Sequence, residues 1–222
     1  RTERRLLGRF YFSVGISEVL NIIMPFRFVY LYMVMQRPEW AVIPLLVESA
    51  TILLMEIPTG AIADLVGKKK TLMDAMLLSA FGILALSFSS STASIFGFFL
   101  LWQVGMALSS GAVEALAYDT LIELGEEQHF DHVIATQSML AIITGVVTAL
   151  VGMWMYSLHF RLPHIAWGLA YFAGFIATIF LIEPDIETEK FSWHGYLRQL
   201  RDGTKHLFQP ALRRFLPLIF TL

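Results

Sequence analysis

Long apolar stretches, punctuated by short polar clusters, run through most of this 222-residue chain. Six of them are long enough to cross a bilayer, at about residues 10–35, 40–63, 71–90, 94–118, 132–157 and 164–183. A helix rises ~1.5 Å per residue, so roughly 20 apolar residues cover ~30 Å of hydrocarbon. Soluble amphipathic helices show a polar stripe at helical spacing, and these runs mostly lack one. The breaks between them have local causes. Arg37-Pro38-Glu39 ends the first run, a turn at 67–70 the second and Ser89-Ser90-Ser91-Thr92 the third. An acidic stretch at 119–131 follows the fourth run, and Arg161-Leu162-Pro163 follows the fifth. The pattern predicts an all-α membrane protein in which residues 1–183 form a bundle of six transmembrane helices.

Two further segments follow. Within 184–210, Trp193, Tyr196, Leu197, Leu200, Leu207 and Phe208 fall near helical spacing, opposite Arg198, Arg201, Asp202 and Lys205. That is the pattern of an amphipathic linker helix at the cytoplasmic membrane surface. Residues 211–222 read as the start of a seventh span. The first run is too long for a signal-peptide core, carries Glu18 and Arg27, and lacks a small-residue cleavage site, so it is expected to be retained.

Composition sharpens this picture. Charged residues make up only 15% of the chain, against ~25% in an average soluble domain, and hydrophobic residues reach 56%. Basic residues are scattered over loops, which excludes a nucleic-acid-binding face. The absence of cysteine excludes disulfides and thiolate metal sites. Lys and Arg are strongly asymmetric. Arg1, Arg4, Arg5, Arg9, Lys68, Lys69, Lys70, Lys190, Arg198, Arg201, Lys205, Arg213 and Arg214 fall on one side of the predicted spans, and only Arg37 and Arg161 on the other. The positive-inside rule therefore places the amino terminus in the cytoplasm of a multi-pass protein of the plasma (inner) membrane.

The most specific stretch lies between the second and third runs. Gly60 is followed by Asp64 four residues on, Gly67 three later, then Lys68 and Lys69, with Glu56-Ile57-Pro58-Thr59 in front. Gly60 would allow close helix approach and Gly67 a tight turn. A second stretch, Gly111-Ala112-Val113-Glu114-Ala115-Leu116-Ala117-Tyr118-Asp119, closes the fourth run. On these residues the chain resembles the amino-terminal half of a major facilitator superfamily transporter. The likeness in topology covers essentially the whole chain, and both stretches resemble a drug- and metabolite-exporter-like subset.

The resemblance implies a non-enzymatic secondary transporter that exports a small, hydrophobic or amphipathic molecule by alternating access. It implies no cofactor, and as partners the bilayer and a second, carboxyl-terminal six-helix half. Asp64 with its lysines would latch the cytoplasmic side by pairing with helix ends of that half, with Asp119 part of the same motif set. Two departures weigh against proton antiport. Leu101, Trp102 and Gln103 precede Gly105 where many antiporters carry Arg, and Gly145 and Gly152 lack the proline of the fifth-span antiporter pattern. The competing expectation is a receptor or scaffold that keeps the fold and moves nothing.

Charges inside the runs are the remaining candidates, since each costs roughly 2.5–3.5 kcal/mol at a helix centre unless paired or facing a cavity. Glu18, Asn21, Arg27 and Glu48 fall nearest the midplane and are the substrate or proton candidates, with Gln103 grouped beside them. Glu18 or Glu48 could exchange a proton, or Arg27 could neutralise one of them permanently. Glu56, Asp74 and Glu114 lie nearer the cytoplasmic end and are expected to support the gate. Tyr30, Tyr32, Met33, Met35, Trp102, Met106 and Trp154 could line an apolar pocket or form lipid-facing belts. Glu126, His129, Asp131 and His132 could hold a divalent ion, although a solvated loop is the stronger expectation.

Overall fold

The computed structural model describes residues 27–183 together with Arg198 and Arg201, apart from some side chains between 38 and 57. The elements are α1 (Arg27–Met35), α2 (Pro38–Val66), α3 (Lys68–Phe88), α4 (Thr92–Leu124), a 3-10 turn (Glu127–His129), α5 (Phe130–Leu158) and α6 (Leu162–Ile179). Most of the first predicted span, the linker at 184–210 and the stretch 211–222 lie outside the described residues, save that Arg198 and Arg201 are helical and exposed. Among the described residues, α3, α4, α5 with its leading turn, and α6 are long and apolar enough to cross a membrane. With 29 residues, α2 has ample length as well, ~44 Å at the usual rise.

Two boundaries differ from the sequence pattern. The turn expected at 67–70 is Gly67 alone, and the three lysines already form the first turn of α3. Gly67 has φ 103° and ψ 138°, a conformation that side-chain-bearing residues rarely adopt, so one residue suffices to redirect the chain. The fourth helix also runs on to Leu124, through residues expected to be loop. Asp119 and Leu121 are buried against the bundle and hold this extension in place. It then ends at Gly125, with the Glu126 N–H donating to Leu121 O at 2.8 Å and the Gly125 N–H to Ile122 O at 3.0 Å.

The packing is centred on α3, which lies between α4 and α6, while α2 packs along α4. The two helices joined at Gly67 therefore diverge. Backbones approach closely at two glycines. A Cβ on Gly82 would sit 2.7 Å from the Trp102 nitrogen, and one on Gly105 would sit 2.9 Å from Ala75 O. Leu72, Met76, Ile83, Phe99, Leu116 and Trp167 fill the interior.

The outer face has the opposite character. Leu54 is 71% exposed, Ile142 70% and Val146 63%. Apolar surface on this scale is a liability in water and the normal solvated face of a protein in lipid. Of α5, only Val133, Thr148 and Gly152 are buried. Trp154 is exposed, in keeping with a belt, whereas Tyr30 and Trp102 belong to the core.

Candidate functional site

The lysine-bearing end of the bundle draws α3, α4 and α6 together. The first N–H groups of α3 have no intrahelical acceptor and sit at the positive end of its dipole. Gly67 offers them no side-chain cap, and no acidic residue stands in the first turn. Glu183, just past α6, supplies two of the missing acceptors. One carboxylate oxygen accepts the Lys68 N–H at 2.7 Å and the other the Lys69 N–H at 2.9 Å. Lys69 Nζ in turn donates to Ile179 O, the last carbonyl of α6, at 2.9 Å. Lys68 Nζ forms an ion pair with Asp119 of α4, the two side chains being 14% and 11% exposed.

Asp64 stands apart from this clasp. It is exposed near the end of α2 and has no hydrogen bond or ion pair among the described residues. Its expected neighbours Lys68 and Lys69 turn to Asp119 and Glu183 instead. Gly60 is less tightly held than its place in the motif suggests, since a Cβ there would meet nothing within 4 Å. Opposite it, a Cβ on Gly111 would lie 3.9 Å from the Gly60 backbone, so α2 and α4 pass at ordinary van der Waals distance. At Gly67 the constraint is real: besides the positive φ, a Cβ would lie 3.3 Å from Glu183 Oε1. The side chain of Glu56 lies outside the described residues, as do Glu18 and Asn21.

A second charged group sits deeper. Arg27 Nη1 forms an ion pair with Glu48 Oε1 at 2.5 Å, with side chains 16% and 14% exposed. The guanidinium carbon lies 5.9 Å from the Trp102 ring centre. Trp102 meets Trp167 edge-on at 4.8 Å. Gln103 is 1% exposed, and its amide nitrogen has no hydrogen-bond partner among the described residues.

A cavity of about 230 Å³ opens between α4, α5 and α6, lined by Met106, Ser109, Ser110, Val113, Glu114, Gln137 and Tyr171. Glu114, expected to support the gate, lines this cavity and forms no ion pair with the lysine clasp among the described residues. Asp74 borders a different space, an apolar groove of about 660 Å³ between α2, α3 and α4. In the 126–132 segment His129 Nδ1 pairs with Glu126 Oε2 at 2.8 Å, both exposed. Among the described residues no three His, Asp or Glu side chains come together.

Two residues and one pairing had no place among the sequence candidates. Glu183 was legible only as the residue before Pro184. Gln137 carries no motif. Tyr30 donates its hydroxyl to Leu86 O at 2.8 Å and stacks on the buried His164 ring at 3.7 Å, a pairing no spacing announces.

Comparison with protein families finds a match to the Major Facilitator Superfamily over residues 40–222. Comparison with curated proteins finds no match.

Proposed function

The chain belongs to the Major Facilitator Superfamily, a family of secondary transporters, and from that premise we propose that it exports a small amphipathic molecule by alternating access. Membership makes it a multi-pass membrane protein that handles a small-molecule substrate and is not an enzyme. The clasp at the lysine-bearing end carries the mechanistic proposal. By tying α3 to α4 through Lys68–Asp119 and to α6 through Glu183, it lets this half move as one body. Positive-inside asymmetry assigns that end to the cytoplasm. Asp64, exposed there with no partner of its own among the described residues, is the group offered to helix ends of a second six-helix half.

Export is supported by the likeness of 56–59 and 111–119 to exporter-like sequences. Proton coupling through Glu18 or Glu48 is part of the proposal, with Glu48 paired to Arg27 in this structure. The test is uptake and efflux of a panel of organic cations and metabolites in proteoliposomes, with and without a pH gradient. Wild type is compared with Asp64→Asn. Gradient-driven export that the substitution abolishes supports the proposal. Flux indifferent to the gradient removes proton coupling and keeps the transporter. Saturable binding with no flux of any compound favours a receptor or scaffold.

A further inference from the structure

Where α2 and α3 part at Gly67, the groove of about 660 Å³ lies between them, with Leu108 of α4 as its floor. Its walls are apolar: Ile62 and Val66 on α2, and on α3 Leu77 and Phe81, which are 43% and 58% exposed. One charged group stands in this space. Asp74 is exposed on the α3 wall and has no hydrogen bond or ion pair among the described residues. It lies six residues on from Lys68, ~9 Å along the helix. Its short stem cannot carry the charge back to water as a lysine's can. A carboxylate at that depth is costly unless a cation meets it. No Lys, Arg or His is among the described lining residues. The lining hydroxyl, Thr71, is committed as well, donating to Gly67 O at 2.8 Å. Lys70 is exposed one turn nearer the helix start and forms no ion pair among the described residues. Lys70, Asp74, Leu77 and Phe81 follow one face of α3 at i, i+4, i+7 and i+11. From the cytoplasmic end inward, that face runs cation, carboxylate, apolar wall.

We propose that this groove docks a single-chain amphiphilic amine from the cytoplasmic leaflet, its ammonium on Asp74 and its chain along Leu77 and Phe81. The inference rests on the export function proposed above, and names the substrate class and the surface that gathers it. Charge order selects the occupant. An amine bonded directly to its chain sets positive N–H groups against the carboxylate as the chain enters the apolar wall. An ethanolamine phospholipid interposes a phosphate between chain and ammonium, so its anion would face Asp74. A fatty acid would bring two carboxylates together. Size agrees with this choice. The groove's volume of about 660 Å³ falls within the ~300–1,000 Å³ of pockets for drug-sized ligands. From Asp74 to Phe81 the wall runs seven residues, ~10 Å, which seats a medium-length alkyl chain.

The test measures saturable binding of decylamine to the full chain in phosphatidylcholine nanodiscs, beside decanol, decanoate and decyltrimethylammonium. Empty nanodiscs give the background, and flux is followed in proteoliposomes of the same lipid. Decylamine should bind in preference to the other three. Asp74→Asn, which keeps the shape, should weaken it roughly 10–100-fold, from the usual strength of charged hydrogen bonds, and Asp74→Glu should retain most of the affinity. Leu77→Trp crowds the wall and should weaken decylamine and decanol alike, whereas Lys70→Met should not weaken the amine. Equal affinity for amine and alcohol, tighter binding of decanoate, or amine affinity unchanged in Asp74→Asn would overturn the proposal. So would displacement of the amine by phosphatidylethanolamine that Lys70→Met relieves, which would give the groove to a zwitterionic lipid. Amine binding without amine flux upholds the groove and removes the export function. Flux of other compounds without saturable amine binding overturns the groove and leaves export standing.

Discussion

Lys68→Met strands the Asp119 carboxylate at the junction of α3 and α4. Asp119 is 11% exposed on its side chain and Lys68 14%, so little water can replace the lost ammonium. Removing one partner of a buried ion pair costs ~3–5 kcal/mol, against ~0–1 kcal/mol for a surface pair. The backbone N–H of Lys68 still donates to Glu183, so the helix cap survives and the loss reports the side-chain pair alone. For a chain of this size each kcal/mol moves the melting midpoint by ~2–4 °C, and Lys68→Met should therefore lower it by roughly 6–20 °C. Asp119→Leu should cost less, because the long lysine stem can carry its charge out to water. The double variant Lys68→Met, Asp119→Leu places apolar groups on both sides and should return to within ~1 kcal/mol of wild type. The assay is equilibrium unfolding of the purified protein in mild detergent, run as a double-mutant cycle. A loss below ~1 kcal/mol for Lys68→Met, or single losses that simply add in the double variant, would refute the assignment of a buried clasp.

Gly67→Ala should destabilise by about 1–3 kcal/mol in the same unfolding assay, since the backbone holds φ 103° and the new methyl would lie 3.3 Å from Glu183 Oε1. Gly82→Val should abolish monodisperse protein on size-exclusion chromatography, because a Cβ there meets the Trp102 backbone at 2.7 Å and neither helix can yield. Gly60→Ala, with nothing within 4 Å, should leave stability within ~0.5 kcal/mol and serves as the contrast. Arg27→Met leaves Glu48 unpaired with its side chain 14% exposed and should lower the melting midpoint, while adding Glu48→Gln should restore much of the loss. A single variant that melts like wild type would show that Arg27 does not compensate that charge.

Length and hydropathy made four of the six expected spans legible among the described residues, and α3 begins and ends within three residues of the pattern's 71–90. Depth was legible too, because counting along an apolar run places Glu48 and Arg27 at similar heights. Facing was not. Helices that are apolar nearly all round carry no stripe from which to read rotation, so nothing in the sequence said that Glu114 turns toward Gln137 and away from the lysines. Lys68 and Asp119 were both singled out, yet their pairing depends on how α3 and α4 pack through Gly82 and Gly105. The extension of α4 to Leu124 escaped for a related reason. An acidic, polar stretch reads as loop until tertiary contacts bury Asp119 and Leu121. Glu183 lies 115 residues from Lys68, and no local signal spans such a distance.

The joint at Gly67 has a mechanical consequence. One residue connects a 29-residue helix to a neighbour pinned at its base by Asp119 and Glu183. With α3 fixed, a change in the Gly67 torsions would tilt α2, which is ~44 Å long and carries Pro44 and Pro58 inside it. A tilt of about 5° at that pivot displaces the far end by about 4 Å, comparable to the width of a water layer. The fulcrum sits at the lysine-bearing end, and the largest excursion falls at the opposite face of the membrane. A contact remade by Asp64 close to the pivot would thus be felt as a displacement across the full thickness of the bilayer.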